Sequence, residues 1–380
     1  MKLLYCIPSL SNPGGMERVI TEKVNYLINL PNYEIVIVTT DQLGLPLWFE
    51  LDNRIQLVHL NIDFNSHYNV NLINKYFSHK KKLRVYKAIL QSLLDKFDID
   101  ICISLCGKEI DFLHKLPVKC KKIAEIHFSM NFRKQFLTAR KNGIIWSCLG
   151  NIRTWQLKQS VRKLDKLIVL TKHDEMQWKQ THTNIQLIPN PNPMRNTTVS
   201  TLDNKRVITV GKLDAQKGYD LLVDVWAIVA KVHPDWKLDI FGVGEWQEML
   251  QNKIDEYQLN STIHLCGSTT NVCEEYLNSS IYVMSSRYEG LPMVLIEAMS
   301  CGLPIVSFDC EFGPSDIVID GVNGFLVKPF DINEMAERIC TLIQDENLRL
   351  SMRENLIKDV NKFSLESVMN IWVGLFNSLS

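Results

Sequence analysis

The feature that constrains this chain most is an alternation that occurs twice. Apolar runs at 3–10, 34–40, 55–60, 100–105, 122–128 and 166–171 are separated by polar or helix-patterned stretches. The runs are nearly continuous in hydrophobicity and lack the alternate polar residues of a half-solvated strand. Strands of that kind belong in a parallel sheet covered on both faces. Leu83, Tyr86, Leu90, Leu93, Leu94 and Phe97 recur at helical spacing and predict one amphipathic covering helix; 16–30 predicts another. The segment Ile188-Pro189-Asn190-Pro191-Asn192-Pro193 then stops the pattern, because three prolines in five residues continue neither a helix nor a central strand. After a polar stretch to Asn204 the alternation restarts. Strands are expected at 206–210, 237–241, 262–265, 281–285, 304–308 and 324–327, with a helix at 219–232. The expected class is α/β: a Rossmann-like domain at 1–193, a second at 194–362, and a C-terminal helix at 363–380 placed to pack back on the first. In open sheets of this kind ligands bind along the C-terminal strand edges, so a cleft between two such edges is expected.

A length of 380 residues suits two domains better than one. The formal net charge is zero, which gives no support to a nucleic-acid partner, and nothing resembles a nucleic-acid-binding motif. The zero hides a split. Residues 1–193 carry 27 Lys and Arg against 16 Asp and Glu, and residues 194–380 carry 15 against 26. A basic half joined to an acidic one suggests two different partners. The ten cysteines form no CxxC pair, and Cys6, Cys102, Cys266 and Cys301 sit in apolar runs, where Cys packs as a small hydrophobe. Cys102 and Cys106 lack the further ligands of a zinc site, and the usage fits a reducing cytoplasm. No apolar run reaches the length of a membrane span. The first residues run straight into Asn12-Pro13-Gly14-Gly15 and read as a strand, not as a leader peptide.

Three constellations carry chemistry. Gly14 and Gly15 stand between a strand and a helix, where a glycine lets a ligand approach the backbone and the helix start favours an anion; a tight turn explains them equally well. Gly211-Lys212-Leu213-Asp214-Ala215-Gln216-Lys217-Gly218 follows the first strand of the second half and brings two lysines, suited to phosphate, into an acidic domain. Solvated loop lysines are the plain alternative. Tyr288-Glu289-Gly290-Leu291-Pro292-Met293-Val294-Leu295-Ile296-Glu297 follows a predicted strand, with Pro292 expected as the first helical residue and free N–H groups behind it. Glu297 lies in an otherwise apolar face and needs a partner, either ligand hydroxyls or a buried salt bridge.

With these residues in order, the chain resembles the retaining GT-B glycosyltransferases, most closely glycosyltransferase family 4, over nearly its whole length. Glu289 to Glu297 matches that family's E-x7-E signature, and Gly14-Gly15-Met16-Glu17 looks like its amino-terminal glycine loop. Gly211-Lys212 with Lys217-Gly218 looks like its G-R-x-x-x-x-K-G loop, with Lys212 where arginine is commoner. Gly313-Pro314-Ser315-Asp316 and Asp320-Gly321-Val322-Asn323-Gly324 resemble its later turns. The resemblance implies a GT-B fold, two Rossmann-like domains facing each other across a cleft. It implies that Lys212 and Lys217 hold the diphosphate of a nucleotide-sugar donor and that Glu297 binds its ribose. It implies that Glu289 and His127 stand beside the transferred sugar, and that Gly14, Gly15, Gly290, Leu291, Pro292, Met293 and Val294 line the donor. A lone His at a strand end is otherwise more often structural. The expected reaction is transfer of a hexose or N-acetylhexosamine, with a UDP-sugar favoured, to a glycan or lipid-linked glycan in cell-surface polysaccharide assembly. No metal and no other cofactor are expected, because the lysines neutralise the leaving phosphate. A non-catalytic nucleotide-sugar binder and a sugar-nucleotide epimerase are the alternatives; the intact Lys217, Glu289 and Glu297 and their spacing argue against both.

One further segment stands apart. Between 131 and 167 the chain places Arg133, Lys134, Arg140, Lys141, Arg153, Lys158, Arg162, Lys163 and Lys166 against Asp165, mixed with Phe132, Phe136, Trp146 and Trp155. Lys80-Lys81-Lys82 and Arg84 add a second basic cluster. Basic residues interleaved with aromatic ones suit an anionic membrane surface. The expected location is therefore cytoplasmic, peripheral on the inner membrane face.

Overall fold

The computed structural model describes residues 1–64, 72–128, 144–194 and 198–380. The chain divides into two compact units, Met1–Pro191 with Val368–Ser380, and Asn192–Ser367. The chain therefore leaves the first unit inside the proline-rich segment and returns to it near the end.

Unit 1 is built on a seven-stranded parallel sheet of β1 (Lys2–Ile7), β2 (Glu34–Thr39), β3 (Gln56–His59), β4 (Ile101–Ser104), β5 (Lys121–Glu125), β6 (Lys166–Val169) and β7 (Ile185–Leu187), ordered β3-β2-β1-β4-β5-β6-β7. The helices described between them are α1 (Gly15–Leu27), α2 (Leu72–Lys96), α3 (Ile144–Val161) and α4 (Lys172–Lys179). The periodic face of α2 is the buried one: Tyr86, Leu90 and Leu94 join the core beside Leu4, Cys6 and Val38, with Leu83, Leu93 and Phe97 packed against it. The expected strand at 122–128 ends at Glu125, so His127 lies two residues beyond it. β7 was not anticipated; its three residues are only half buried and centre on Gln186.

Unit 2 carries a six-stranded parallel sheet of β8 (Arg206–Val210), β9 (Lys237–Phe241), β10 (Ile263–Gly267), β11 (Ile281–Met284), β12 (Ile305–Phe308) and β13 (Gly324–Val327), ordered β10-β9-β8-β11-β12-β13. Its helices are α5 (Tyr219–Val232), α6 (Gln247–Glu256), α7 (Val272–Leu277), α8 (Met293–Ser300), α9 (Pro314–Ile317), α10 (Ile332–Gln344) and α11 (Glu346–Asp359). Trp226 of α5 is fully buried in the core with Leu222, Val229, Leu238 and Ile339. Buried Arg349 donates to the carbonyls of Leu342, Ile343 and Leu202, which fixes the segment after the prolines to the end of α10.

A last helix, α12 (Leu365–Leu379), buries Val368, Met369, Trp372, Leu375 and Phe376. These recur at three- and four-residue spacing, so one stripe of the helix faces unit 1.

Both sheets reverse their winding direction once, between β1 and β4 in unit 1 and between β8 and β11 in unit 2. Loops leaving such a pair of strands diverge and open a crevice at the C-terminal edge. In unit 2 the two loops there are 211–218 and 285–292. In unit 1 the Gly14–Gly15 turn follows β1.

Candidate functional site

The two loops of unit 2 are stitched together by their backbones. Arg287 N–H donates to the Gln216 carbonyl (2.8 Å), Ser285 Oγ to the Lys217 carbonyl (2.9 Å) and Gln216 Nε2 to the Tyr288 carbonyl (3.1 Å). The Arg287 guanidinium holds the Ala215 carbonyl (3.0 Å) and grips Asp220 with two bonds of 2.8 and 2.7 Å. Gly218 has φ +64, and a Cβ there would fall 2.2 Å from the Ser285 carbonyl oxygen. Only glycine allows both that left-handed backbone and that approach.

The stitching brings Lys217 Nζ to 2.8 Å from Glu289 Oε1, with Gln216 Nε2 at 3.4 Å from Oε2. The two charged side chains are 18% and 8% exposed. Burial would lower the Lys217 pKa, but the Glu289 charge outweighs it and the pKa is raised. A protonated lysine thus sits at the switch point, and an incoming phosphate would have to compete with the carboxylate for it. Lys212 behaves differently. It is 69% exposed, with Asp214 at 3.8 Å.

Glu297 lies one helical stretch further on, buried in α8, and Tyr276 Oη donates to its Oε2 at 3.2 Å. Burial, reinforced by Glu297, raises the Tyr276 pKa well above that of a free phenol. The partner that Glu297 required therefore includes a tyrosine hydroxyl. Leu291 and Pro292 are buried, and Gly290, Met293 and Val294 are half-buried. Pro292 is not the first helical residue as expected: α8 begins at Met293, and Pro292 occupies the cap position at φ −73, ψ 96. Proline has no side-chain acceptor, so the first-turn N–H groups receive no side-chain cap and keep their capacity for an anion.

Gly242 was missed by sequence reasoning. It follows β9 with φ +146, and a Cβ would fall 1.8 Å from the Gly211 carbonyl oxygen. Leu213 N–H donates to the Val243 carbonyl (3.1 Å) and Trp246 N–H to that of Leu213 (3.0 Å), so this turn backs the lysine loop. The Gly-Val-Gly triplet directly after a predicted strand was the available signal.

In unit 1 neither Gly14 nor Gly15 has positive φ; Gly14 caps α1 at φ −73, ψ 155. The turn therefore does not need glycine for its backbone angles. What glycine provides is room, and the Glu17 carboxylate occupies it: Oε2 would lie 2.2 Å from a Cβ at Gly14. His127 is nearly buried, with Nε2 3.1 Å from Oε1 of the buried Glu125. Glu125 in turn accepts two bonds of 2.7 Å from the buried Lys23 of α1. Burial would raise the Glu125 pKa, but Lys23 and His127 outweigh it and bring it to about 2. Neither Lys23 nor Glu125 was anticipated, although each is a charge on an apolar face, beside Val19, Ile20 and Val24 and beside Ile123 and Ala124 respectively.

Of the basic and aromatic segment, Phe132, Arg133, Lys134, Phe136, Arg140 and Lys141 lie outside the described residues, and the Trp146 side chain is likewise not described. Trp155 on α3 is 60% exposed, as are, to similar degree, Tyr76 and Phe77 on α2. Lys80, Lys81 and Arg84 are exposed on the same helix. Among the described residues no cluster of three or more His, Cys, Asp or Glu could hold a metal ion, and no helix is long and apolar enough to cross a membrane.

This geometry can be compared with known proteins. Residues 193–359 match the family of glycosyl transferases group 1. Over 380 residues, 98% of this chain and 99% of the relative, the sequence is 31% identical to an uncharacterized glycosyltransferase of Haemophilus influenzae. It is 27% identical to the amylovoran biosynthesis glycosyltransferase AmsD of Erwinia amylovora, covering 99% of both chains. In structure it resembles S. aureus TarM, crystallised with fondaparinux, alpha-GlcNAc-glycerol and UDP, at a TM-score of 0.77, with 19% identity and 99% of both chains covered. Two Rossmann-like parallel sheets of this order are the GT-B fold. With 31% identity to a glycosyltransferase over almost the whole of both chains, and with the glycosyl transferases group 1 family matching residues 193–359, the chain belongs to the glycosyltransferases.

Proposed function

We propose that this glycosyltransferase takes a hexose or N-acetylhexosamine from a UDP-sugar and passes it, with retention at the anomeric carbon, to a glycan or lipid-linked glycan. The observation that carries the reading is the buried Lys217–Glu289 pair at the switch point of unit 2, with Glu297 buried eight residues beyond Glu289. Lys217 is the cation that would meet the donor diphosphate and stabilise the leaving nucleotide as charge builds on it. Lys212, long and exposed, would fold onto the same phosphates. Glu297, steadied by Tyr276, would accept from the ribose hydroxyls. Glu289, released from Lys217 when phosphate arrives, would orient the sugar hydroxyls; the N-terminal amides of α8 and residues 290–294 would line sugar and phosphate. His127, Gly14 and Gly15 would stand beside the transferred sugar, the role that the family resemblance implies for them. A lysine in place of a metal makes turnover insensitive to chelators. UDP in the TarM structure supports the choice of base.

For the acceptor side, the exposed Trp155, Tyr76 and Phe77 and the exposed Lys80, Lys81 and Arg84 support peripheral docking on an anionic membrane. The test of the donor is thermal shift across UDP, GDP, ADP and CDP, followed by NMR of the product anomer with the sugar that turns over. Stabilisation by GDP and none by UDP refutes the base, and an inverted anomer refutes retention. Sedimentation with anionic vesicles at low and high salt tests docking, which absence of binding at low salt refutes.

A further inference from the structure

The Lys23–Glu125 pair has no place in the donor chemistry described above, and its burial is unusual. Both side chains are 1% exposed. Lys23 Nζ spends two of its three N–H groups on the two Glu125 oxygens. The remaining side of the ammonium faces the Trp372 ring of α12, with Nζ 3.6 Å from the ring centroid, and Tyr5 of β1 stands at 5.9 Å. Every face of this cation is therefore occupied, by groups from β1, β5 and α12. Buried ion pairs of this kind are weak sources of stability, because desolvation offsets their attraction; well-packed apolar residues serve as well. What such a pair supplies is a carboxylate held in one place, although burial lowers the pKa of the lysine that holds it.

That place is beside His127. Glu125 ends β5, and the chain leaves the sheet over Ile126 to His127, so the imidazole hangs over the carboxylate at the C-terminal edge. Nε2 lies 3.1 Å from Glu125 Oε1 but off the line of a hydrogen bond. A small turn of the ring closes that bond, as hydrogen bonds at reacting centres tighten when substrate binds. With Nε2–H directed to Glu125, the ring is held in one orientation and one tautomer.

We propose that Lys23 and Glu125 are positioning residues for His127, and that Trp372 completes them, so that the C-terminal helix is keyed to the reacting centre through one buried ammonium. Lys23 holds the carboxylate in place; the carboxylate holds the imidazole; the indole face closes the lysine's open side. The proposal rests on the reading of His127 as a group beside the transferred sugar.

The experiment compares the parent with Lys23→Met/Glu125→Gln, Glu125→Asp and His127→Asn. The double variant leaves no unpaired buried charge and keeps the volumes, so it is expected to melt within a few degrees of the parent. UDP affinity by calorimetry is expected unchanged, since the nucleotide would lie on unit 2. Turnover of UDP-glucose or UDP-N-acetylglucosamine, read as UDP release, is expected to fall about tenfold or more in kcat, with little change in donor KM. Glu125→Asp keeps the charge but withdraws it by one methylene, and is expected to show the same split in a folded protein if the double variant does not fold. In the His127→Asn background the double substitution is expected to add nothing, because the pair acts through the ring. Long-range ¹⁵N–¹H spectra of imidazole-labelled protein, with His127 assigned by its loss in His127→Asn, are expected to show the Nε2–H tautomer in the parent and a mixture in the double variant. A folded double variant with kcat within about twofold of the parent overturns the proposal, as does a parent His127 that populates both tautomers. Full activity of His127→Asn instead overturns the reading of His127 itself, and the two failures are told apart by which variant stays active.

Discussion

Replacing Glu289 by glutamine should make the protein bind UDP more tightly while it turns over more slowly. In the structure Lys217 is bonded to Glu289 at 2.8 Å, and the pair is only 18% and 8% exposed, so water screens it little. A diphosphate held by Lys217, as proposed, would have to displace that carboxylate. A charge-assisted hydrogen bond contributes about 1.5–3 kcal/mol and a neutral one about 0.5–1.5 kcal/mol, so the amide competes with phosphate less strongly by about 1–1.5 kcal/mol. With 1.4 kcal/mol per decade, Kd for UDP should fall about fivefold to tenfold. Calorimetric titration of UDP into the parent, Glu289→Gln, Lys217→Met and the double variant separates the contributions. Lys217→Met should weaken UDP about tenfold or more, and Glu289→Gln should confer no gain once Lys217 is gone. The reasoning is refuted if Glu289→Gln, with an unchanged melting temperature, binds UDP no better than the parent.

Three further outcomes are expected. Glu297→Ala should weaken UDP about tenfold, and Tyr276→Phe, which removes only the hydroxyl that steadies it, about threefold; the same titration measures both. Gly242→Ala combines an added Cβ 1.8 Å from the Gly211 carbonyl oxygen with φ +146, and should destabilise unit 2 by about 2–4 kcal/mol, visible as an early thermal transition. Because the Glu125 pKa is lowered from 4.5 to about 2, its ionised form contributes stability that is present above pH 4.5 and lost as pH falls toward 2. The melting temperature of the parent should therefore drop more steeply than that of Glu125→Gln across that window.

Much of the fold was legible because the strands are buried on both faces and so read as apolar runs. β8, β9, β13 and α5 begin and end where the hydrophobic pattern does. β7 was not legible, since three half-buried residues around Gln186 carry too little pattern. The end of β5 was misplaced because Ile126 and Phe128 continue its apolar run after the ladder has stopped. At the candidate site, the loop residues were legible as local strings. Their unequal surroundings were not: Lys212 and Lys217 sit five positions apart in one loop, yet one is solvated and the other buried against a carboxylate.

What the sequence determined by itself was local. Periodicity decided which residues face a core, the prolines decided where the first alternation stops, and the short strings around Lys217 and Glu289 decided which charged groups each loop carries. What only the tertiary structure decided was who meets whom. Strand order places β8 beside β11 and so joins Lys217 to Glu289 across 72 positions. The same ordering in unit 1 and the return of α12 join Lys23 to Glu125 across 102 positions and close them under Trp372. The physical reason is that a side-chain period reports the environment of a single element. The neighbours of that element are chosen by crossover connections and by packing summed over the whole unit, which no short window of residues contains.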